Sequence, residues 1–269
     1  LIHAPICGEI EVIENALVEV NEAGTITGVH VPEVENYAEI KQTAVASGSL
    51  VELAEGQYLL PGMVDLHIHA PQWPQAGNAL HLPLYEWLQE YTFPLEAKYA
   101  DLEFAEKSYT SLVETLIANG TTTAVYFATV HLEPTKLLAD ICLAKGQRAL
   151  VGKVAMDNPD ECPDFYRDAS VQQGLDDTRT LIEYVRTMPG NKNETVLPIV
   201  TPRFIPSCTD EMLKGLGQLA QEYNCHVQTH CSESDWEHNY VLNRHGMRDT
   251  ESLNQFKLLT HKTVLAHSC

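Results

Sequence analysis

No apolar run in this chain reaches the roughly 18 residues that a membrane span needs, so no transmembrane segment is expected. The opening residues Leu1-Ile-His-Ala-Pro5 lack a basic stretch followed by an apolar one, and no secretion signal is read there. Positive charge is scarce: 17 Lys and Arg stand against 37 Asp and Glu, a formal net charge of -20. That sign repels phosphate backbones and anionic lipid, which argues against nucleic acid or a membrane surface as partner and leaves a small neutral or cationic ligand open. Paired cysteine motifs are missing too. The seven cysteines are odd in number and none forms a Cys-x-x-Cys, so they read as reduced core thiols of a cytoplasmic protein, with no thiol nucleophile among them. Apolar residues, in contrast, are plentiful. At 44% of 269 residues they suffice for one large core and a small appendage.

Residues 1–57 read as a small β-rich domain, with strands at 9–20 and 25–31 and a turn at Ala23-Gly24. Residues 34–46 are ambiguous and are not assigned to a helix. From residue 58 onward strands alternate with helices. The strands are expected at 58–69, 121–128, 149–156, 196–201, 226–231 and 263–267, and the helices at 102–118, 134–144, 171–188, 210–223 and 234–244. Ser170 and Thr209 suit helix N-caps, and Gly120 and Gly146 suit helix stops. Alternation of this kind builds a parallel sheet, open or closed. Polar residues gather at the strands' carboxyl ends: His67 and His69, Thr129 and His131, Asp157, Arg203, His230 with Glu233, and His267. Convergence from six strands favours a (β/α)8 barrel of TIM type, whose site lies at that end. Six strands rather than eight are visible, so residues 58–269 are expected to form a barrel truncated after about six strands.

The most informative stretch is Leu60-Pro-Gly-Met-Val-Asp-Leu-His-Ile-His-Ala70. Side chains alternate along a strand, so His67 and His69 point to one face, with Asp65 below them. Two imidazoles so placed can share a divalent metal; the duller alternative is a buried, hydrogen-bonded pair. A second run, Cys225-His-Val-Gln-Thr-His-Cys-Ser-Glu233, ends another strand in a histidine with a glutamate three residues on. Glu233 could reach a metal-activated water or simply oppose the macrodipole of the helix that follows. Arg203 at a strand end could pair its donors with a ring carbonyl or enter a structural ion pair. Gln72 could read a heterocycle edge or be an ordinary loop residue. Phe204 and Trp87 could stack on a base or belong to the core. His226 lies toward the opposite end of the barrel from His230 and is read as structural. Asp65 and Asp157 could support the site or be plain strand-end polar residues.

With both histidine runs placed, the chain resembles the amidohydrolase superfamily and, within it, the guanine deaminase family. The superfamily match is Pro61-Gly-Met-Val-Asp-Leu-His-Ile-His69. The narrower match lies in Leu82-Pro-Leu-Tyr-Glu-Trp-Leu-Gln-Glu-Tyr-Thr-Phe-Pro94, Asn119-Gly-Thr-Thr-Thr-Ala-Val-Tyr-Phe-Ala128, Thr201-Pro-Arg-Phe204 and Thr229-His-Cys-Ser-Glu233. The resemblance implies His67, His69 and His230 as ligands to zinc, Glu233 as proton shuttle, and Gln72, Arg203 and Phe204 around a purine. The family's fourth ligand, an aspartate on the eighth strand, has no counterpart here. In the superfamily the position of His267 contacts a second metal or assists the nucleophile. Two-metal members carry a modified lysine on the fourth strand. That strand lacks lysine here, so one zinc ion is expected, with His267 orienting the site.

The function so implied is zinc-dependent hydrolytic deamination of guanine to xanthine and ammonia, in purine catabolism or salvage. The expected partner is a small-molecule purine. The exposed strand edges of a barrel short of two units would invite association, so a homodimer is one expected assembly. Two other readings stand beside it: deamination of a triazine, pterin or adenine-like compound, and a catalytically idle barrel that serves as a binding scaffold.

Overall fold

The computed structural model describes residues 1–269, which divide into two compact units, Leu1–Gly62 and Met63–Cys269. In the first unit, β1 (Ile2–Ile6) pairs antiparallel with β2 (Glu9–Val12), and β3 (Leu17–Val20) with β4 (Ile26–His30). The expected strand at 9–20 is therefore two strands, interrupted at Asn15, which takes a positive φ of 51°. The unassigned stretch at 34–46 contains a helix, α1 (Tyr37–Ser47), ended by Gly48 in the left-handed conformation. None of its residues is buried, so it lacks the apolar stripe by which helices are read, and its Ala, Glu, Lys and Gln content supports it by propensity.

The second unit begins with β5 (Met63–His69), later than expected because Pro61-Gly62 holds the chain out of the ladder. Residues 84–100 form a chain of short helical turns that includes α2 (Leu84–Trp87) and α3 (Phe93–Glu96). Then follow α4 (Leu102–Ala118), β6 (Thr121–Phe127), α5 (Leu132–Lys145), β7 (Arg148–Gly152) and the two-residue β8 (Val154–Ala155). The chain continues through α6 (Val171–Thr187), β9 (Val196–Pro202), α7 (Asp210–Glu222), β10 (His226–Cys231), α8 (Asp235–His245), α9 (Asp249–Gln255) and β11 (Thr263–His267). The strand expected at 149–156 is split into β7 and β8. At the break a Cβ on Gly152 would fall 1.9 Å from Thr201 Oγ1, so only glycine lets β9 pass there.

All the principal strands are parallel, in the order β11-β10-β9-β7-β6-β5, with β8 beside β9. Parallel neighbours require crossovers, and α4 to α9 supply them. The sheet is strongly curved. Its two edge strands, β5 and β11, bring the rings of His67 and His267 to 5.2 Å. This is a (β/α) barrel wall of six strands with helices outside, the architecture expected from the sequence.

Loops are tied to the barrel by buried polar contacts. Thr209 caps α7, its Oγ1 accepting the Met212 N–H at 3.2 Å, while its own N–H and hydroxyl donate to Asp157 at 2.8 and 2.6 Å. Asp157 thus serves a helix cap and does not support the site. Thr209→Ala is expected to lower stability by about 1–2 kcal/mol, read as a fall in the urea midpoint at unchanged slope. An unaltered midpoint would show the cap to be dispensable.

Candidate active site

Alternation along β5 sends His67 and His69 to the inner face, and β10 and β11 deliver His230 and His267 to the same place. Ring centroids are 5.0 Å apart for His67–His69, 4.9 Å for His67–His230, 4.8 Å for His69–His230 and 5.6 Å for His230–His267. His69 also stacks on Phe127 at 4.7 Å. Burial, then the neighbouring His267, lowers the pKa of His67 to about 4; burial and adjacent imidazoles hold His69 and His230 well below the usual range. All three are neutral at pH 7, with nitrogen lone pairs to offer.

The tautomer of His230 follows from its neighbour. Its Nδ1 lies 2.6 Å from the Arg203 carbonyl oxygen, which can only accept, so Nδ1 carries the proton and Nε2 presents a lone pair. That Nε2 is 2.8 Å from His69 Nε2. Potential ligand atoms of His67, His230 and His267 all lie within 4.8 Å of one another. His67 Nδ1 and His69 Nδ1 are buried without hydrogen-bond partners. Converging neutral imidazoles with unsatisfied nitrogens make the donor set of a divalent metal such as zinc and fit a packed core poorly. His267, expected to orient the site, sits within the cluster itself.

Glu233 follows β10 on the turn into α8. Its carboxylate is 3.4 Å from His267 Nε2, and burial raises its pKa. His67, His69, His230, Glu233 and His267 line one cavity of about 210 Å³. Its remaining wall is Gln72, Leu84, Trp87, Leu88, Arg203 and Phe204. Every residue expected as metal ligand, proton shuttle, orienting group or purine-pocket residue therefore lies on this cavity. His131 does not; its ring packs 5.8 Å from Tyr166. Asp65 instead accepts the His67 backbone N–H at 3.0 Å.

Sequence reasoning missed the residue that organises the pocket wall. Glu96, at the end of α3, is fully buried and takes four hydrogen bonds. Arg203 gives two, at 2.6 and 3.2 Å, Gln72 one at 3.0 Å and Tyr166 one at 2.7 Å. Both readings of Arg203 thus meet in one side chain: it lines the cavity, and its terminal nitrogens form a buried ion pair. Burial alone would push the guanidinium pKa down, but the Glu96 charge and hydrogen bonds outweigh it and hold it above the usual value. Fixing Gln72 and Arg203 to a common carboxylate sets two polar edges of the cavity rigidly against each other.

A curved parallel sheet with clustered histidines at its carboxyl end agrees with the family comparison. The chain belongs to the amidohydrolase family, whose profile matches residues 58–269. It is 40% identical over 275 residues to the "probable guanine deaminase" of Schizosaccharomyces pombe, covering 100% of this chain and 51% of that protein. With the guanine deaminase of Homo sapiens the identity is 38% over 271 residues, covering 100% of this chain and 58% of that one. The crystal structure of guanine deaminase from C. acetobutylicum with bound guanine in the active site superposes with a TM-score of 0.84 at 32% identity, over 99% of this chain and 60% of that one. The chain thus spans between half and three-fifths of the length of these relatives.

Proposed function

We propose that the chain takes part in zinc-dependent hydrolysis of guanine to xanthine and ammonia, a step of purine breakdown or salvage in the cytoplasm. The observation that carries this reading is the convergence of four imidazoles and Glu233 on a cavity whose far wall presents Gln72 and Arg203. His67, His69 and His230 would hold one zinc ion. When bound, zinc acidifies water from a pKa of 15.7 to about 7 and so makes a nucleophile available at neutral pH.

The protein's own groups do the rest. The Glu233 carboxylate takes a proton from the attacking water at an oxygen facing the cavity. Its raised pKa lets it hold that proton and return it to the departing amine, so that ammonia leaves as a neutral molecule. His267, whose Nε2 lies 3.4 Å from the carboxylate, keeps it oriented. Gln72 and Arg203 face the polar edges of the ring, and Phe204 and Trp87 cover its faces. The resemblance to guanine deaminases over the full chain supports guanine above a triazine, pterin or adenine-like compound.

Chelation tests the reading. Ammonia release from guanine is expected to stop when zinc is stripped and to return when zinc is added back. Activity that survives full removal of metal excludes the mechanism. Zinc bound at the cluster, with none of these heterocycles turned over, would favour a binding scaffold.

A further inference from the structure

Two acids behind the Glu233 turn have no role in the site described so far. Glu237, in the first turn of α8, and Asp249, the first residue of α9, are both fully buried. Glu237 Oε2 accepts the Glu233 N–H at 2.7 Å, and Asp249 Oδ1 accepts the Ser232 N–H at 3.2 Å. Two consecutive amides of the turn are thus each held by a carboxyl from a different helix. The turn needs holding, because Ser232 has a φ of +50°, a left-handed conformation that costs energy in a residue with a side chain.

The remaining oxygens, Glu237 Oε1 and Asp249 Oδ2, are buried without hydrogen-bond partners, and Asp249 lies close enough for its charge to act on the Glu237 carboxyl. His238 alongside keeps its Nδ1 3.8 Å from Asp249 Oδ2, beyond hydrogen-bond length. Glu233 and the Cys231 thiol are the other titratable groups facing the pair. A capping motif explains part of the arrangement, since Ser234 Oγ accepts the Glu237 N–H at 3.2 Å. It does not explain two neighbouring buried acids that each keep an unpartnered oxygen and repel strongly when both are ionised.

We propose that Glu237 and Asp249 share one proton between Oε1 and Oδ2, and that this acid pair clamps the Ser232–Glu233 turn and so presents Glu233 to the cavity. The shared proton is argued from the two unpartnered buried oxygens; the value of the clamp to catalysis rests on the deamination reading. Burial pushes the Glu237 carboxyl up to about 8, so the pair keeps its proton at neutral pH. A carboxyl raised in this way stabilises the fold fully below its ordinary value of 4.5, and that contribution is lost as pH climbs through about 8.

The full chain carrying Glu237→Gln, Asp249→Asn and both together tests the proposal by thermal melting. In either single variant an amide N–H takes the place of the shared proton, and the midpoint is expected to stay within about 2 °C of the parent. In the double variant two NH2 groups meet with no acceptor between them, and the midpoint should fall by about 5 °C or more. Glu237→Gln should also flatten the parent's loss of stability between pH 4.5 and about 8. Amide hydrogen exchange reads the positioning: Glu237→Ala should accelerate exchange at Ser232 and Glu233, and Glu237→Gln should restore it. The proposal is overturned by single variants that melt as low as the double, by a double that melts like the parent, or by exchange at Glu233 that Glu237→Ala leaves unchanged. None of these readouts uses guanine, so a failed clamp leaves deamination standing and an inactive chain leaves the clamp standing.

Discussion

Glu233→Gln in the zinc-loaded chain is expected to lower ammonia release from guanine by about 10²–10⁴-fold while bound metal stays unchanged. The amide keeps the shape of the acid but has no site at which to take up and return a proton. Glu233 lies beside His267 at 3.4 Å and outside the group of imidazoles whose ligand atoms cluster, so ligation should not depend on it. Steady-state rates and metal analysis on the same preparation separate the outcomes. Loss of turnover together with loss of metal would make Glu233 part of the ligand set, and retained turnover would remove it from the chemistry.

Glu96→Ala is expected to destabilise the fold by about 3–5 kcal/mol, the largest effect on stability among the substitutions considered. The change leaves the Arg203 guanidinium, 2% exposed, without its carboxylate. It also strips the acceptor from Gln72 and Tyr166. A urea titration gives the measurement. A midpoint equal to that of the parent would mean that water or another acid replaces Glu96, and that the pocket wall is not organised by it.

The parts of this site that could be read from sequence are those with a local signature. His67 and His69 announce themselves because a strand's two-residue period puts them on one face, and His230 with Glu233 repeats the device. Helices α5, α6 and α7 are bounded by caps and stops that act within a few residues, as at Gly146, Ser170 and Thr209. Glu96 has no such mark. It is one of 37 acids, and its partners at Gln72, Tyr166 and Arg203 stand 24, 70 and 107 residues away. Glu237 and Asp249 are concealed differently, since acids in a helix's first turn are ordinary and only burial reveals the pair. Position at a strand end is a weak guide: Asp157 and His131 share it, yet one holds Thr209, the cap of α7, and the other packs on Tyr166.

Arg203 faces two ways, and its halves are chemically independent. The main-chain oxygen dictates which nitrogen of His230 is protonated, whereas the side chain answers to Glu96, the Phe93 ring beneath it and the cavity. Every amino acid brings the same carbonyl. Exchanging residues 96 and 203 together for a matched neutral couple would therefore redraw the pocket and leave the imidazole's tautomer as it is, which makes these two positions the place to retune which ring the cavity accepts.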